Sequence, residues 1–173
     1  MTHLKRLTRS KLFALLFGTL AAVFVQEQAV RLALPRYDPS QHLRFSKSIP
    51  GLPPLGPSNG VQRQIKNTGD YDVWVRFNRY GLRDSEDFVA ATPDDFLLVG
   101  DSFTFGWGVE EDARISERLQ ERIGHTVFNL SVPTDLRGYD RLLAYAKEQG
   151  SSASHVVIAL SMESDVGDYR SDS

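Results

Sequence analysis

Residues 12–25 run fourteen positions without a charge, from Leu12 to Val25, directly behind a head that carries Lys5, Arg6, Arg9 and Lys11 and no acid. A run apolar on every face has no polar side to turn toward water, so it suits a bilayer better than the surface of a soluble domain. At about 1.5 Å per residue it spans roughly 21 Å, less than the ~30 Å hydrocarbon layer and comparable with a signal-peptide core. No clean small-x-small cleavage site follows, because a cut after Ala29 would put Glu27 at the −3 position, and weaker apolar character resumes through Ala29–Leu34 until Pro35. The reading is an uncleaved signal anchor, helical to about residue 33. Its basic head orients that end to the cytoplasm and the body outside. Removing the head leaves 16 basic against 22 acidic side chains, a net negative body unsuited to nucleic acid. The absence of cysteine excludes disulfide frameworks, thiolate metal sites and cysteine nucleophiles.

Six of the eight prolines fall between Pro35 and Pro57, so residues 34–60 read as a spacer or an irregular wrapping segment. Residues 61–66 and 72–77 read as two strands joined by a turn at Asn67–Asp70, with Val73, Val75 and Phe77 alternating against Asp72, Trp74 and Arg76. From residue 95 the rhythm becomes strand (96–99), helix (113–123, with Ile115, Leu119 and Ile123 on one face), strand (126–130), helix (139–149) and strand (155–160). Short links between such elements predict a parallel α/β sheet. Units of about 30 residues make a five-stranded version of on the order of 150 residues, whereas 79 remain from Asp95, so either the third strand is expected at a sheet edge or the helices are expected to leave an apolar face unpaired. The organisation expected is 1–33 head and anchor, 34–60 spacer, and 61–173 the α/β domain.

Ligands of parallel sheets gather outside the carboxyl ends of the strands. Three segments follow the strands there: Gly100-Asp-Ser102, Asn129-Leu-Ser131-Val-Pro-Thr134, and Ser161-Met-Glu-Ser164-Asp165. The first has the form of a nucleophile turn, in which Gly100 permits a sharp bend and Ser102 offers both a hydroxyl and a backbone N–H.

Phe96-Leu-Leu-Val-Gly-Asp-Ser-Phe-Thr-Phe-Gly-Trp-Gly-Val109 resembles the first block of the SGNH (GDSL-type) hydrolases, in particular their membrane-anchored or secreted bacterial members. Residues 129–134 resemble the second block, 156–165 the strand leading into the third, and Asn78-Arg-Tyr-Gly-Leu-Arg-Asp84 a segment that precedes the first. The similarity covers about residues 61–169. It implies a flavodoxin-like three-layer α/β/α sandwich, incomplete here at about three core strands, and an extracytoplasmic serine esterase acting on an acyl ester, such as an O-acyl group of a polysaccharide or lipid. It further implies that Ser102 is the nucleophile. The oxyanion hole would be the Ser102 backbone N–H, the Thr134 backbone N–H at the family's glycine position, and Ser164 at the family's asparagine position.

The resemblance is uneven. Thr134 keeps a backbone N–H but not glycine's conformational freedom, and Ser164 is shorter than asparagine. Loss of one oxyanion donor typically costs on the order of 10²–10³ in rate. The family's late Asp-x-x-His block finds no counterpart before Ser173, so the chain is expected to be truncated ahead of it. Substitutes for the base are poor. His125 and His155 precede their strands and so sit at the amino end of the sheet, roughly 16 Å from the rim at about 3.3 Å per residue. His42 lies in the spacer and His3 before the anchor. Three accounts follow: a truncated esterase; a noncatalytic, membrane-anchored binding or assembly module of the same fold; and a nucleotide-binding domain, for which the third fingerprint glycine and any Gly-Lys-Ser/Thr loop are missing.

Supporting roles fall to Asp101, which can accept backbone N–H bonds in the turn, and to Asp165 as a replacement partner or a solvated acid. Arg83 has two candidate roles, contact with substrate or an ion pair with a neighbouring carboxylate. Phe103, Phe105 and Trp107 either line an acyl pocket or belong to the core. No metal-ligand spacing is present and no cofactor is expected; the partners expected are the acyl-ester substrate and the membrane.

Overall fold

The computed structural model describes residues 9–34 and 43–161. Two compact units divide the chain, Met1–Pro39 and Ser40–Ser173. In the first, helix α1 (Arg9–Ala33) runs 25 residues, about 37 Å at the usual rise, with no side chain buried. It is long and apolar enough to cross a membrane. Arg31 near its end pairs with Glu27 one turn earlier at 2.8 Å.

The second unit is a mixed α/β body. Strands β1 (Val61–Ile65) and β2 (Asp72–Arg76) form an antiparallel hairpin with Val61 opposite Arg76 and Ile65 opposite Asp72. Gly69 at φ +88° supplies the left-handed residue of the turn, and a Lys66–Asp70 ion pair closes over it. Val73, Val75 and Phe77 point inward while Trp74 is 61% exposed, as the alternation predicts. The hairpin's buried face joins Leu43 and Phe105 in one core cluster.

Strands β3 (Phe96–Val99), β4 (Val127–Asn129) and β5 (His155–Ile158) form a parallel sheet in the order β4-β3-β5. Leu98 aligns with Asn129 on one side and Val157 on the other. Helix α2 (Ser102–Phe105) follows β3, α3 (Ile115–Ile123) leads to β4, and α4 (Leu136–Glu148) connects β4 to β5. Leu97, Val99, Phe128 and Leu130 pack with Tyr139, Leu142 and Ala146 of α4 in the main core. Asp135 caps α4, its carboxylate accepting from the Gly138 N–H at 2.8 Å. This cap starts the helix three residues before its apolar periodicity becomes visible.

Helix α3 departs from expectation. It begins at Ile115 because Arg114 is extended, with residues 111–113 forming a separate 3₁₀ turn. The apolar stripe is not its buried face: Ile115 is 45% exposed, Leu119 and Ile123 are half-buried, and Ser116 is fully buried. Among the described residues strand β5 lies at a sheet edge, and Val156, Ile158 and Leu160 are each about half exposed (49%, 53% and 51%). Residues 43–60 wrap the body. Leu55 is fully buried, Lys47 and Leu55 exchange backbone hydrogen bonds, and the Gly56 N–H donates to the Gly81 carbonyl at 2.8 Å.

Candidate functional site

Parallel strands aligned in register leave the sheet together, so the segments after β3, β4 and β5 share the carboxyl rim. Ser102 opens α2 and is half-buried. Asp101 caps this short helix, its Oδ1 accepting from the N–H groups of Phe103 (2.9 Å) and Thr104 (3.4 Å). The helix ends at Gly106, φ +89°, whose N–H returns to the Ser102 and Phe103 carbonyls. The Trp107 N–H also donates to the Ser102 carbonyl, at 3.0 Å. The turn is thus fixed from both ends.

Gly100 is required for another reason. A Cβ there would collide with the hydroxyl of Thr104 and come within 3.0 Å of the Ala159 carbonyl on the neighbouring segment. Gly100→Ala must therefore push α2 off the strand end. The expected result is a stability loss of about 1–3 kcal/mol, typical of overpacking, measured by urea unfolding.

Thr134 follows β4 just ahead of the Asp135 cap, its side chain packed where a Gly138 Cβ would stand. Asp101, Ser102 and Thr134 are therefore all on the carboxyl rim. Ser164 and Asp165 lie outside the described residues, as do His3 and His42. His125 and His155 are at the opposite end of the sheet, their ring centroids 6.2 Å and 4.6 Å from that of Phe96. Among the described residues nothing hydrogen-bonds the Ser102 hydroxyl, and no three His, Asp or Glu side chains gather to hold a metal ion.

The three aromatics separate. Phe105 is fully buried against Phe45 and Phe77, and Trp107 packs on Phe105 while donating from Nε1 to the Tyr71 hydroxyl at 3.1 Å. Phe103, beside Ser102, is 75% exposed.

Of the two candidate roles of Arg83, the ion pair with a neighbouring carboxylate is not made among the described residues. Arg83 is 2% exposed and donates to two backbone carbonyls, those of Gly106 and Val109 (2.6 Å for the latter). Burial, and next the like charge of Arg114, lower its pKa to about 10, so it stays a cation at neutral pH.

Three further residues complete the surroundings of the turn. The Asp84 carboxylate, 7% exposed, accepts from the Asn129 N–H at 2.7 Å and the Glu86 N–H at 3.3 Å. Burial pushes its pKa up to about 6, against the lowering effect of those bonds and of Arg114. The Asn129 side chain donates to the Thr104 carbonyl at 3.1 Å and accepts from the Ser131 N–H at 2.9 Å, joining α2 to the second rim segment. Arg114, 1% exposed, donates to the Arg83 carbonyl and pairs with Glu117 at 2.7 Å. Asp84 and Asn129 lie in segments the sequence marks, 78–84 and 129–134, whereas no sequence signal marks Arg114.

Compared with family models, with curated proteins and with solved structures, the chain matches none.

Proposed function

We propose that the chain carries a serine acyl-ester hydrolase centre of SGNH type at Ser102, on a body that α1 holds at the outer face of a membrane. The observation that carries this reading is the position of Ser102, in a tight capped turn immediately after the middle strand of a parallel sheet. The order β4-β3-β5 is that of the first three strands of flavodoxin-like sheets, in which the chain reverses direction beside the first strand and ligands bind in the resulting crevice. In this mechanism Ser102 Oγ attacks the ester carbonyl carbon, its hydroxyl proton passes to the leaving oxygen as the ester C–O bond breaks, and the alcohol departs. Water then cleaves the acyl-serine. The Ser102 and Thr134 N–H groups stabilise the oxyanion, with Ser164 as third donor. O-acyl groups on an extracytoplasmic polysaccharide or lipid suit the topology, which follows from the basic head ahead of α1.

A second reading, a noncatalytic module of the same fold, draws on one observation: His155 stacks on Phe96 and His125 lies tilted beside the same ring, both at the amino end of the sheet, away from Ser102. A fluorophosphonate probe separates the two. Incubated with the detergent-solubilised full chain, it is expected to add its mass to the peptide bearing Ser102, and Ser102→Ala should abolish the adduct. A folded chain that takes no label, or label that survives Ser102→Ala, would overturn the hydrolase reading.

A further inference from the structure

Residues 78–84 form a loop built to present two charges inward. The Asn78 Oδ1 accepts from the N–H groups of Tyr80 (3.0 Å) and Leu82 (3.1 Å), and its Nδ2 donates to the Glu86 carbonyl at 2.8 Å. Gly81, at φ +83°, approaches Gly56 so closely that a Cβ would strike the Gly56 carbonyl. Arg83 and Asp84 follow, consecutive, oppositely charged and buried. Among the described residues they do not pair with each other, and no carboxylate lies within ion-pair distance of Arg83.

Each charge is directed instead to a different part of the rim. Arg83 bridges the carbonyls of Gly106 and Val109, the two ends of the turn that leaves α2. The hairpin holds the same turn from its other side, where the Gly108 N–H donates to Gln64 Oε1 at 3.0 Å. Asp84 fixes the Asn129 N–H, and the Asn129 side chain reaches both α2, at Thr104, and the second rim segment, at Ser131. Burying two charges without pairing them is unfavourable for folding, and a fold needing stability alone is served as well by apolar or neutral side chains. What the charges provide is direction, because a bidentate guanidinium and a carboxylate each fix the backbone groups they meet.

We propose that Arg83 and Asp84 are positioning residues of the Ser102 centre, setting the nucleophile turn and the Ser131–Thr134 segment at the spacing that acyl transfer requires. The inference rests on the acyl-ester reading for its function and on the hydrogen bonds alone for its geometry. Arg83→Lys keeps the charge but cannot span two carbonyls. Asp84→Asn keeps one acceptor for Asn129 and loses the charge.

The test compares the detergent-solubilised full chain with both variants, using thermal unfolding, amide hydrogen exchange and the concentration dependence of fluorophosphonate capture at Ser102. The expected result is folded variants in which the maximal capture rate falls tenfold or more at an unchanged half-saturating probe concentration. Exchange should accelerate locally, at residues 103–109 in Arg83→Lys and 129–134 in Asp84→Asn. Capture within twofold of the unaltered chain, or exchange accelerated uniformly across the body, would overturn the proposal. If the unaltered chain takes no label, the acyl-ester reading fails by itself. The exchange pattern then still decides the clamp, upheld by local and refuted by uniform or absent change.

Discussion

Arg114→Ala is expected to lower the stability of the body by about 3 kcal/mol. The guanidinium it removes donates to the Arg83 carbonyl, donates from Nε to the Glu111 carbonyl at 3.3 Å, and pairs with Glu117. Its stem is packed as tightly as its head, since a Cβ on Gly106 would lie 2.8 Å from Arg114 Cγ. Truncation therefore opens a cavity, orphans a buried carbonyl and strips Glu117 of its partner, losses that together reach about 3–5 kcal/mol at fully buried sites. Two effects reduce that figure. Glu117 is 27% exposed and rehydrates, and Arg83 loses a like charge that lowers its pKa. Together they offset on the order of 1 kcal/mol. Arg114→Lys, which keeps charge and stem but not the fork, should lose about half as much. Urea unfolding at constant m-value checks both, and an Arg114→Ala midpoint indistinguishable from that of the unaltered chain would contradict the packing described here.

Asp84→Asn should act in the opposite direction at neutral pH. The folded-state pKa of Asp84 is raised, to about 6, above the unfolded value of 3.8, so the folded chain holds this proton more tightly than the unfolded one. The associated stability is fully present below about pH 4 and is lost as pH rises through about 6, a change of about 3 kcal/mol from this group. Asparagine cannot ionise and escapes that loss. It gives up the Glu86 N–H contact, worth about 1 kcal/mol, at a residue exposed enough for water to replace it. The variant is thus expected to fall about 1 kcal/mol below the unaltered chain near pH 4 and to exceed it by about 2 kcal/mol at pH 7. Denaturation midpoints across that range supply the comparison, and a variant less stable at pH 7 than at pH 4 relative to the unaltered chain would show that the carboxylate is not desolvated. A stability gain accompanied by slower capture at Ser102 would mark a charge that serves geometry at the expense of the fold.

Elements whose signal is local were legible in the sequence. β3 occupies the four residues its apolar run predicts, the hairpin follows its alternation and its Asn67–Asp70 turn, and α1 ends at Ala33 ahead of Pro35. Helix α3 misled because periodicity marks a face able to be buried, whereas the surface that meets α3 favours Arg114 and Ser116 over Ile115. The placement of Ser102 after β3 could be read from the chain; the supports of its turn could not. Nothing near Asp84 in sequence announces Asn129, 45 residues on, and nothing near Arg83 announces Arg114.

Those separations also bear on how the body is assembled. The bonds from Arg83 to Gly106 and Val109 close loops of 23 and 26 residues, the one from Arg114 closes 31, and that from Asn129 to Asp84 closes 45. In a chain that emerges from its N-terminus, the hairpin and residues 78–84 are complete while their partners are still unmade. Both charges then remain in water, and neither is desolvated until β4 arrives to receive Asp84 and the 106–109 turn to receive Arg83. The unfavourable step of burying them thus coincides with closure of the sheet, whose apolar gain is the term large enough to carry it.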